Sequence, residues 1–189
     1  CFRKGTPLAL LPGDDQPDAE LVTLSTLESA ACHRLWQYCV HGGPANARQF
    51  LHYAASLLDQ NSDWLEPQPL LRAGLYMAGG DSVDLDDIRT SWVADQPTAA
   101  LVFYRALVQG GNLKAVDALI EGLKKAGLNP LPIFVASLKD PVAAATLEQV
   151  LGEAPPDVIL NATGFAVSSP GAERTPTPFN ASGATVLQV

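Results

Sequence analysis

Three groups of polar side chains stand directly after apolar runs of strand length. Tyr104, Arg105, Gln109 and Asn112 follow the run 99–104, Ser137 and Lys139 follow 131–135, and Asn161 and Thr163 follow 158–160. If these runs are parallel strands of one sheet, all three groups fall at its carboxyl edge, where open α/β sheets bind ligands. A phenol, two cations and several amides and hydroxyls gathered there suit a polar ligand bearing carboxylates or amides. The same residues also read as solvated cations and as asparagines that cap helices and turns, and the sequence leaves both readings open.

Other chemistries find less support. Neither G-x-G-x-x-G nor G-x-x-x-x-G-K-[ST] occurs, so the chain lacks the glycine cradles for a dinucleotide or for the phosphates of ATP. G-x-S-x-G and H-E-x-x-H are absent too. Cys32, His33, Cys39, His41 and His52 are metal-ligand types, but C-x6-C-x-H has none of the tight spacings of a tetrahedral zinc site. The two cysteines read instead as small apolar residues packed under a helix pair. Seven residues apart in one helix, they lie about 10 Å apart along its axis, too far for a disulfide. Asp81, Asp84, Asp86 and Asp87 lack the glycine and distal Glu of a calcium loop and read as the acidic first turn of a helix.

The elements that must position the first set follow from periodicity. Residues 8–11, closed by Pro12-Gly13, read as a short buried strand. Ser25-Thr-Leu-Glu28 matches a capping box that opens a helix over 26–41. Gly42 and Gly43 end it, and Pro44 suits the first turn of a second helix whose core face is Ala47, Phe50, Leu51, Ala54, Leu57 and Leu58. Asn61, Ser62, Asp63 and two prolines mark 61–69 as a linker.

Beyond it, runs at 73–77, 99–104, 131–135, 158–160 and 185–189 alternate with helical patterns, as in a parallel sheet of crossover units. Asn112 is the expected cap of a helix to Ala126 with core face Leu113, Val116, Leu119, Ile120 and Leu123, and Asp140-Pro141 opens another carrying Ala143, Leu147, Val150 and Leu151. Residues 163–184, rich in Ser, Pro, Gly and Thr, read as a long loop at the same edge, of a length that is commonly either functional or disordered. The expected fold is α/β: a parallel, doubly wound, flavodoxin-like sheet over residues 70–189, incomplete at its last strand, preceded by a helical hairpin segment with a short strand over 1–66.

The chain has 189 residues, 47% of them apolar, enough for a sizeable core. Twelve Lys and Arg against twenty Asp and Glu give a net charge of −8, which disfavours nucleic acid and other polyphosphates as partners. No apolar run approaches the roughly 18 residues a bilayer helix needs, so no membrane partner is expected. An odd cysteine count and no signal segment at the start suit a cytoplasmic compartment. A start at Cys1 and a last run with no closing turn read as a piece of something longer.

A set of runs in fixed order adds a resemblance: Leu101-Val-Phe-Tyr-Arg-Ala, Gln109-Gly-Gly-Asn112, Val116-Asp-Ala-Leu-Ile120, Gly127-Leu-Asn-Pro-Leu-Pro-Ile-Phe-Val135, Ser137-Leu-Lys-Asp140 and Asn161-Ala-Thr-Gly-Phe-Ala-Val-Ser-Ser169. Together with Leu10-Leu-Pro-Gly-Asp-Asp15 and His41-Gly-Gly-Pro-Ala-Asn46, the chain resembles the large subunits of aerobic cobaltochelatase, the CobN-type relatives of magnesium chelatase H subunits. Ser137-Leu-Lys-Asp140 and the 161–169 run look more like the cobalt branch. Leu113-Lys-Ala115 departs from the family's Thr and Pro at a helix start, as Tyr76-Met-Ala-Gly79 departs by lacking a proline.

The resemblance implies a segment of a cytoplasmic enzyme of cobalamin biosynthesis that inserts cobalt(II), its substrate metal, into the tetrapyrrole hydrogenobyrinic acid a,c-diamide. It implies that ATP is hydrolysed by two partner subunits and not bound here. It supplies no catalytic residue and no metal ligand. The expected substrate contacts are therefore those of the sheet edge: Tyr104, Arg105, Gln109, Asn112, Lys139 and Asn161. The competing expectations are a noncatalytic small-molecule or subunit-docking module, and a segment of magnesium-chelatase type.

Overall fold

Asp18 begins the regular structure by accepting the backbone N–H groups of Glu20 and Leu21, which caps the short helix α1 (Ala19–Leu24). Two longer helices follow, α2 (Ser29–His41) and α3 (Gly43–Ser56), with Gly42 and Gly43 at positive φ in the turn between them and Pro44 in the first turn of α3. The computed structural model describes residues 5–78, 83–164 and 177–189. It divides into two units, Cys1–Leu70 and Leu71–Val189.

In the first unit, α2 buries Ala31, Cys32, Leu35 and Tyr38, spaced as one helical face, and Ala31, Leu35 and Tyr38 cluster with Tyr53 of α3. α3 buries Asn46 and Tyr53, with Phe50, Ala54 and the C-cap residue Leu57 partly buried beside them, whereas Leu51 and Leu58 are exposed. Apolar spacing alone therefore chose a face rotated from the true one, because the buried asparagine and tyrosine carry polar atoms that a hydropathy pattern discounts. Cys32 is buried as expected and Cys39 is exposed.

Two further expectations are corrected together. Residues 8–11 form no strand, and the Ser25 box caps no helix. Instead the hydroxyls of Thr26 and Ser25 accept the backbone N–H groups of Leu8 and Leu10, and the Leu8 carbonyl accepts the Thr26 N–H at 2.9 Å. The hydroxyls that would have capped α2 hold this extended segment, and α2 starts at Ser29 behind Glu28, which makes no side-chain cap.

The stretch read as a linker is strapped onto the hairpin. Asn46, 5% exposed, donates through Nδ2 to the Gly42 and Gln68 carbonyls (2.8 and 2.9 Å) and accepts the Gln68 N–H (2.9 Å). Arg34 bonds both carboxylate oxygens of Glu66 (2.8 and 3.0 Å) and lies over the rings of Tyr53 and Trp64.

The second unit is built on a five-stranded sheet in the order β1-β3-β2-β4-β5, with β1 Ala73–Leu75, β2 Thr98–Tyr104, β3 Asn129–Val135, β4 Val158–Asn161 and β5 Thr185–Gln188. β3, β2, β4 and β5 run parallel to one another, as expected. β1 is not: it pairs antiparallel to β3, with Ala73 opposite Val135 and Leu75 opposite Ile133. Gly74 faces Phe134 in that pair, and a Cβ there would stand 2.9 Å from the ring, so the close approach of the edge strand depends on glycine.

Ala99 through Phe103 are wholly buried, because helices cover both faces of the central strand. On one face Ala100, Val102, Leu131, Ile133 and Val135 pack with Ala143, Leu147 and Leu151 of α7 (Pro141–Glu153), Ile88 of α4 (Leu85–Arg89) and Phe179. On the other, Tyr76 meets Phe103 edge to face and donates its hydroxyl to Asp117 of α6 (Lys114–Lys125) at 2.8 Å. Burial and this bond push the Tyr76 hydroxyl up to about 12.

The helix starts show which caps were legible. Asp84 and Asp87 form a capping box on α4, as the acidic cluster implied, while Asp81 lies outside the described residues. Asp140 caps α7. Asn112 does not cap α6, which begins behind Leu113 with no side-chain cap, at the site of the Leu113-Lys-Ala115 departure. Its face is also less covered than expected: Val116 is buried but Leu119 is 41% exposed. Of the expected loop 163–184, residues 165–176 lie outside the described set, and Pro178–Ser182 form a 3-10 turn that seats Phe179 in the core.

The Asn46 bridge generates a direct test. Asn46→Ala should lower stability by about 2–3 kcal/mol, since it removes a buried amide and leaves the Gln68 backbone groups unpaired. Urea unfolding followed by tryptophan fluorescence measures it, and a loss below about 0.5 kcal/mol, the range of ordinary surface changes, would show that the strap does not depend on this residue.

Candidate functional site

The two ends of the sheet are finished differently. At the amino edge the chain seals itself. Asn129, 5% exposed, donates to the carbonyls of Val93 and Gln96 and accepts the Val93 N–H (2.8–3.0 Å), while Asp157 accepts the Thr98 N–H at 2.7 Å. Polar groups paired in this way, Asn129 buried and Asp157 exposed, brace that end of the sheet.

The carboxyl edge carries charge instead. β2 ends at Tyr104, opposite Val135, and turns at once into the short helix α5 (Arg105–Gln109), which the sequence reading had not separated. That turn places Arg105 and Gln109 one helical turn apart, and the Arg105 Nη1 donates to Gln109 Oε1 at 3.2 Å. The Arg105 Nε donates to the Leu71 carbonyl at 2.9 Å. Tyr104, Arg105 and Gln109 are half-buried, and Asn112 is exposed in the turn that leads to α6. After β3 the chain turns on Ser137, whose hydroxyl accepts the Lys139 N–H at 3.1 Å, and the Lys139 residue is exposed.

Asn161 reaches the same edge, opposite Val102, but it is 4% exposed. Its Nδ2 donates to Gln188 Oε1 at 3.0 Å, and its Oδ1 accepts the N–H and hydroxyl of Thr163 at 3.1 and 2.6 Å. These bonds tie the end of β4 to β5 and to the chain leaving the sheet. The edge thus brings Tyr104, Arg105, Gln109 and the 137–139 turn to one side of the sheet, with Asn161 bracing it from within.

Arg72 belongs with this group and was missed. Because β1 runs against β3, its first residue and not its last lies at the carboxyl edge, and the Arg72 carbonyl accepts the Ala136 N–H just past the end of β3. The Arg72 Nη1 donates to Asp140 Oδ2. Asp140 Oδ1 meanwhile accepts the N–H groups of Val142 and Ala143 at the start of α7. The Ala143 N–H, with Arg72 in support, holds the Asp140 carboxyl below its ordinary range. Burial first, and the nearby Arg72 guanidinium second, lower the Arg105 guanidinium from its ordinary value. The signal for Arg72 was the direction of β1, which apolar periodicity does not carry.

In a chain of net charge −8, an edge bearing Arg72, Arg105 and Lys139 is suited to bind carboxylates. Among the described residues no group of three or more His, Cys, Asp or Glu is placed to hold a metal ion. A hollow of about 460 Å³ in the first unit is lined by Asp14, Asp18 and Glu20 among others, a lining that repels anions.

The CobN/Magnesium Chelatase family model matches residues 36–189. Aerobic cobaltochelatase subunit CobN of a Sinorhizobium species is 45% identical over 96% of this chain, and its namesake in Pseudomonas aeruginosa is 41% identical over 89%. The matched parts are 15% and 14% of those relatives' lengths. The catalytic subunit of cobaltochelatase from Mycobacterium tuberculosis superposes with a TM-score of 0.68 at 25% identity, over 87% of this chain and 13% of that one.

The Asp140 cap gives this edge a pH signature. A carboxyl whose folded pKa is depressed stabilises the fold above its unfolded value, about 3.9, and that contribution is lost as pH falls through the folded pKa. Asp140→Asn should therefore unfold at lower urea than the parent at neutral pH, with the gap closing below about pH 4. A gap that stays constant across that range would assign the lost stability to something other than this carboxylate's charge.

Proposed function

This chain belongs to the CobN/Magnesium Chelatase family, and on that premise we propose that it is the part of a cobaltochelatase large subunit that holds the tetrapyrrole while cobalt(II) is inserted. The substrate is hydrogenobyrinic acid a,c-diamide, cobalt is the substrate metal, and ATP is hydrolysed by two partner subunits. The compartment is the cytoplasm; among the described residues no helix is long and apolar enough to cross a membrane. The observation that carries this reading is the gathering of Arg72, Arg105 and Lys139 at the carboxyl edge of an otherwise acidic chain.

Metal insertion needs a macrocycle held and bent so that its pyrrole nitrogens face the ion, and a group that takes the displaced protons. The edge contributes the holding. Arg105, held by the Leu71 carbonyl and Gln109, and Lys139 set two positive charges at this edge for the rim carboxylates. Tyr104, Gln109 and Asn112 supply neutral hydrogen bonds to the rim amides. Asn161 keeps β4 and β5 in register behind them.

Titration of the large subunit with hydrogenobyrinic acid a,c-diamide, followed by tryptophan quenching, tests this. Arg105→Ala and Lys139→Ala should each weaken binding about tenfold, or about 1.4 kcal/mol. Lys139→Ala should leave stability within about 0.5 kcal/mol, and Arg105→Ala should cost about 1 kcal/mol for its bond to the Leu71 carbonyl. Unchanged affinity in both variants would move the tetrapyrrole site away from this edge.

A further inference from the structure

The parallel ladder lines up four side chains in one row across the second unit: Pro132 of β3, Leu101 of β2, Leu160 of β4 and Leu187 of β5. Alternation along β2 puts Leu101 on the same face as Phe103, whose ring meets Tyr76 and through it Asp117 of α6. The row therefore belongs to the α6 face. Along it burial declines: Pro132 and Leu101 are buried, Leu160 is half-buried and Leu187 is 48% exposed.

The α7 face behaves differently. There Ala100 and Ile159 are wholly buried, and exposure begins only at Val186 of the edge strand. An edge position accounts for Val186. It does not account for Leu160, because β4 is paired on both sides. The cause is the placement of the helices: α7 and Phe179 pack over Ile159 and its neighbours, whereas α6 packs against β3, on the far side of β2 from β4. α6 is itself incompletely covered, with Ile120 and Leu123 half-buried and Leu119 exposed beside the buried Val116. Parallel strands carry apolar side chains on both faces because helices cover both, and at β4 and β5 one of these covers is thin.

We propose that the α6 face of β4 and β5 seats an amphipathic helix supplied by the large subunit's own polypeptide from outside residues 1–189, with its apolar stripe against Leu160 and Leu187. This rests on the reading of the chain as a large-subunit segment and is independent of where the tetrapyrrole binds. The matched parts are 15% and 14% of the relatives' lengths, so most of such a polypeptide lies outside the match, and a tethered helix meets this face at an effective concentration that a separate partner lacks. The seat is firm, since the Gln188 amide accepts from Asn161 and donates to the Thr163 carbonyl, holding β5 to β4 by side chains as well as by the ladder. A strand added beside β5 would lengthen the sheet and leave Leu160 as it is; a helix laid across the face covers both leucines.

The test uses the isolated large subunit. Leu187→Cys is labelled with a maleimide under native conditions and after unfolding in urea, and the adduct at 187 is read by peptide mass. A urea midpoint close to the parent's shows that the variant is folded. Native labelling should be slower than unfolded labelling by at least about tenfold at every protein concentration. Smaller protection shows an open face and overturns the proposal while leaving the tetrapyrrole site untouched. Protection that grows with protein concentration assigns the face to a second copy and overturns it as well. Irradiation of Leu187→p-benzoylphenylalanine then identifies the occupant. The expected cross-link joins 187 to a peptide of the same polypeptide, outside residues 1–189, whose apolar residues recur at helical spacing. A cross-link to a second copy, to a peptide within residues 1–189 or to one without that spacing overturns the assignment.

Discussion

The antiparallel pairing of β1 with β3 is the constraint on which the site depends. Three residues long and paired on one side, β1 contributes little area to the core, yet it decides which end of residues 71–75 meets the carboxyl edge of the parallel strands. With β1 reversed, the Leu71 carbonyl and the Arg72 side chain arrive beside Arg105 and Asp140. A parallel β1 would deliver Tyr76 and Met77 to that edge and send Arg72 to the sealed one. Gly74 lets the strand lie close against the Phe134 ring.

The rest of the second unit supports that edge. β2 is buried on both faces and pairs on both sides, so its end is fixed, and Arg105 starts from a rigid base. α7 fixes Asp140 by its own first turn, and Asp140 in turn fixes Arg72. At the opposite edge Asn129 and Asp157 consume the backbone groups that would otherwise be open. The division of labour follows the general behaviour of open α/β sheets, in which the amino ends are closed by connections and the carboxyl ends are left for binding.

Much of this was legible because strands and helices of the second unit are locally consistent. The apolar runs at 99–104, 131–135 and 158–160 coincide with strands, and Asp140-Pro141 marks the start of α7, since an aspartate cap and a proline at the first turn state the same boundary twice. Arg105, Lys139 and Asn161 were expected at a single edge because parallel topology carries residues after a strand there, and the parallel register of β3, β2 and β4 places them so. What was not legible depends on pairing across long separations. The direction of β1 is decided by a partner some sixty residues away. Ser25 and Thr26 have the chemistry of caps, but Leu8 and Leu10 compete for their hydroxyls, and the tertiary bonds win. Asn161 looks like an open edge amide until its bonds to Gln188 and Thr163 are counted. The strap over 61–69 has the composition of a linker, and contacts from the hairpin, among them those of Asn46, Arg34, Tyr38 and Gln49, make it part of the first unit.

The most direct measurement is hydrogen exchange of the large subunit that carries this segment, with and without hydrogenobyrinic acid a,c-diamide, read peptide by peptide. A tetrapyrrole seated on the carboxyl edge protects the amides of 104–112 and 136–142 and leaves those of 19–56 unchanged. Exchange at 104–112 and 136–142 that is identical with and without the ligand, under saturating conditions, contradicts a binding role for this edge.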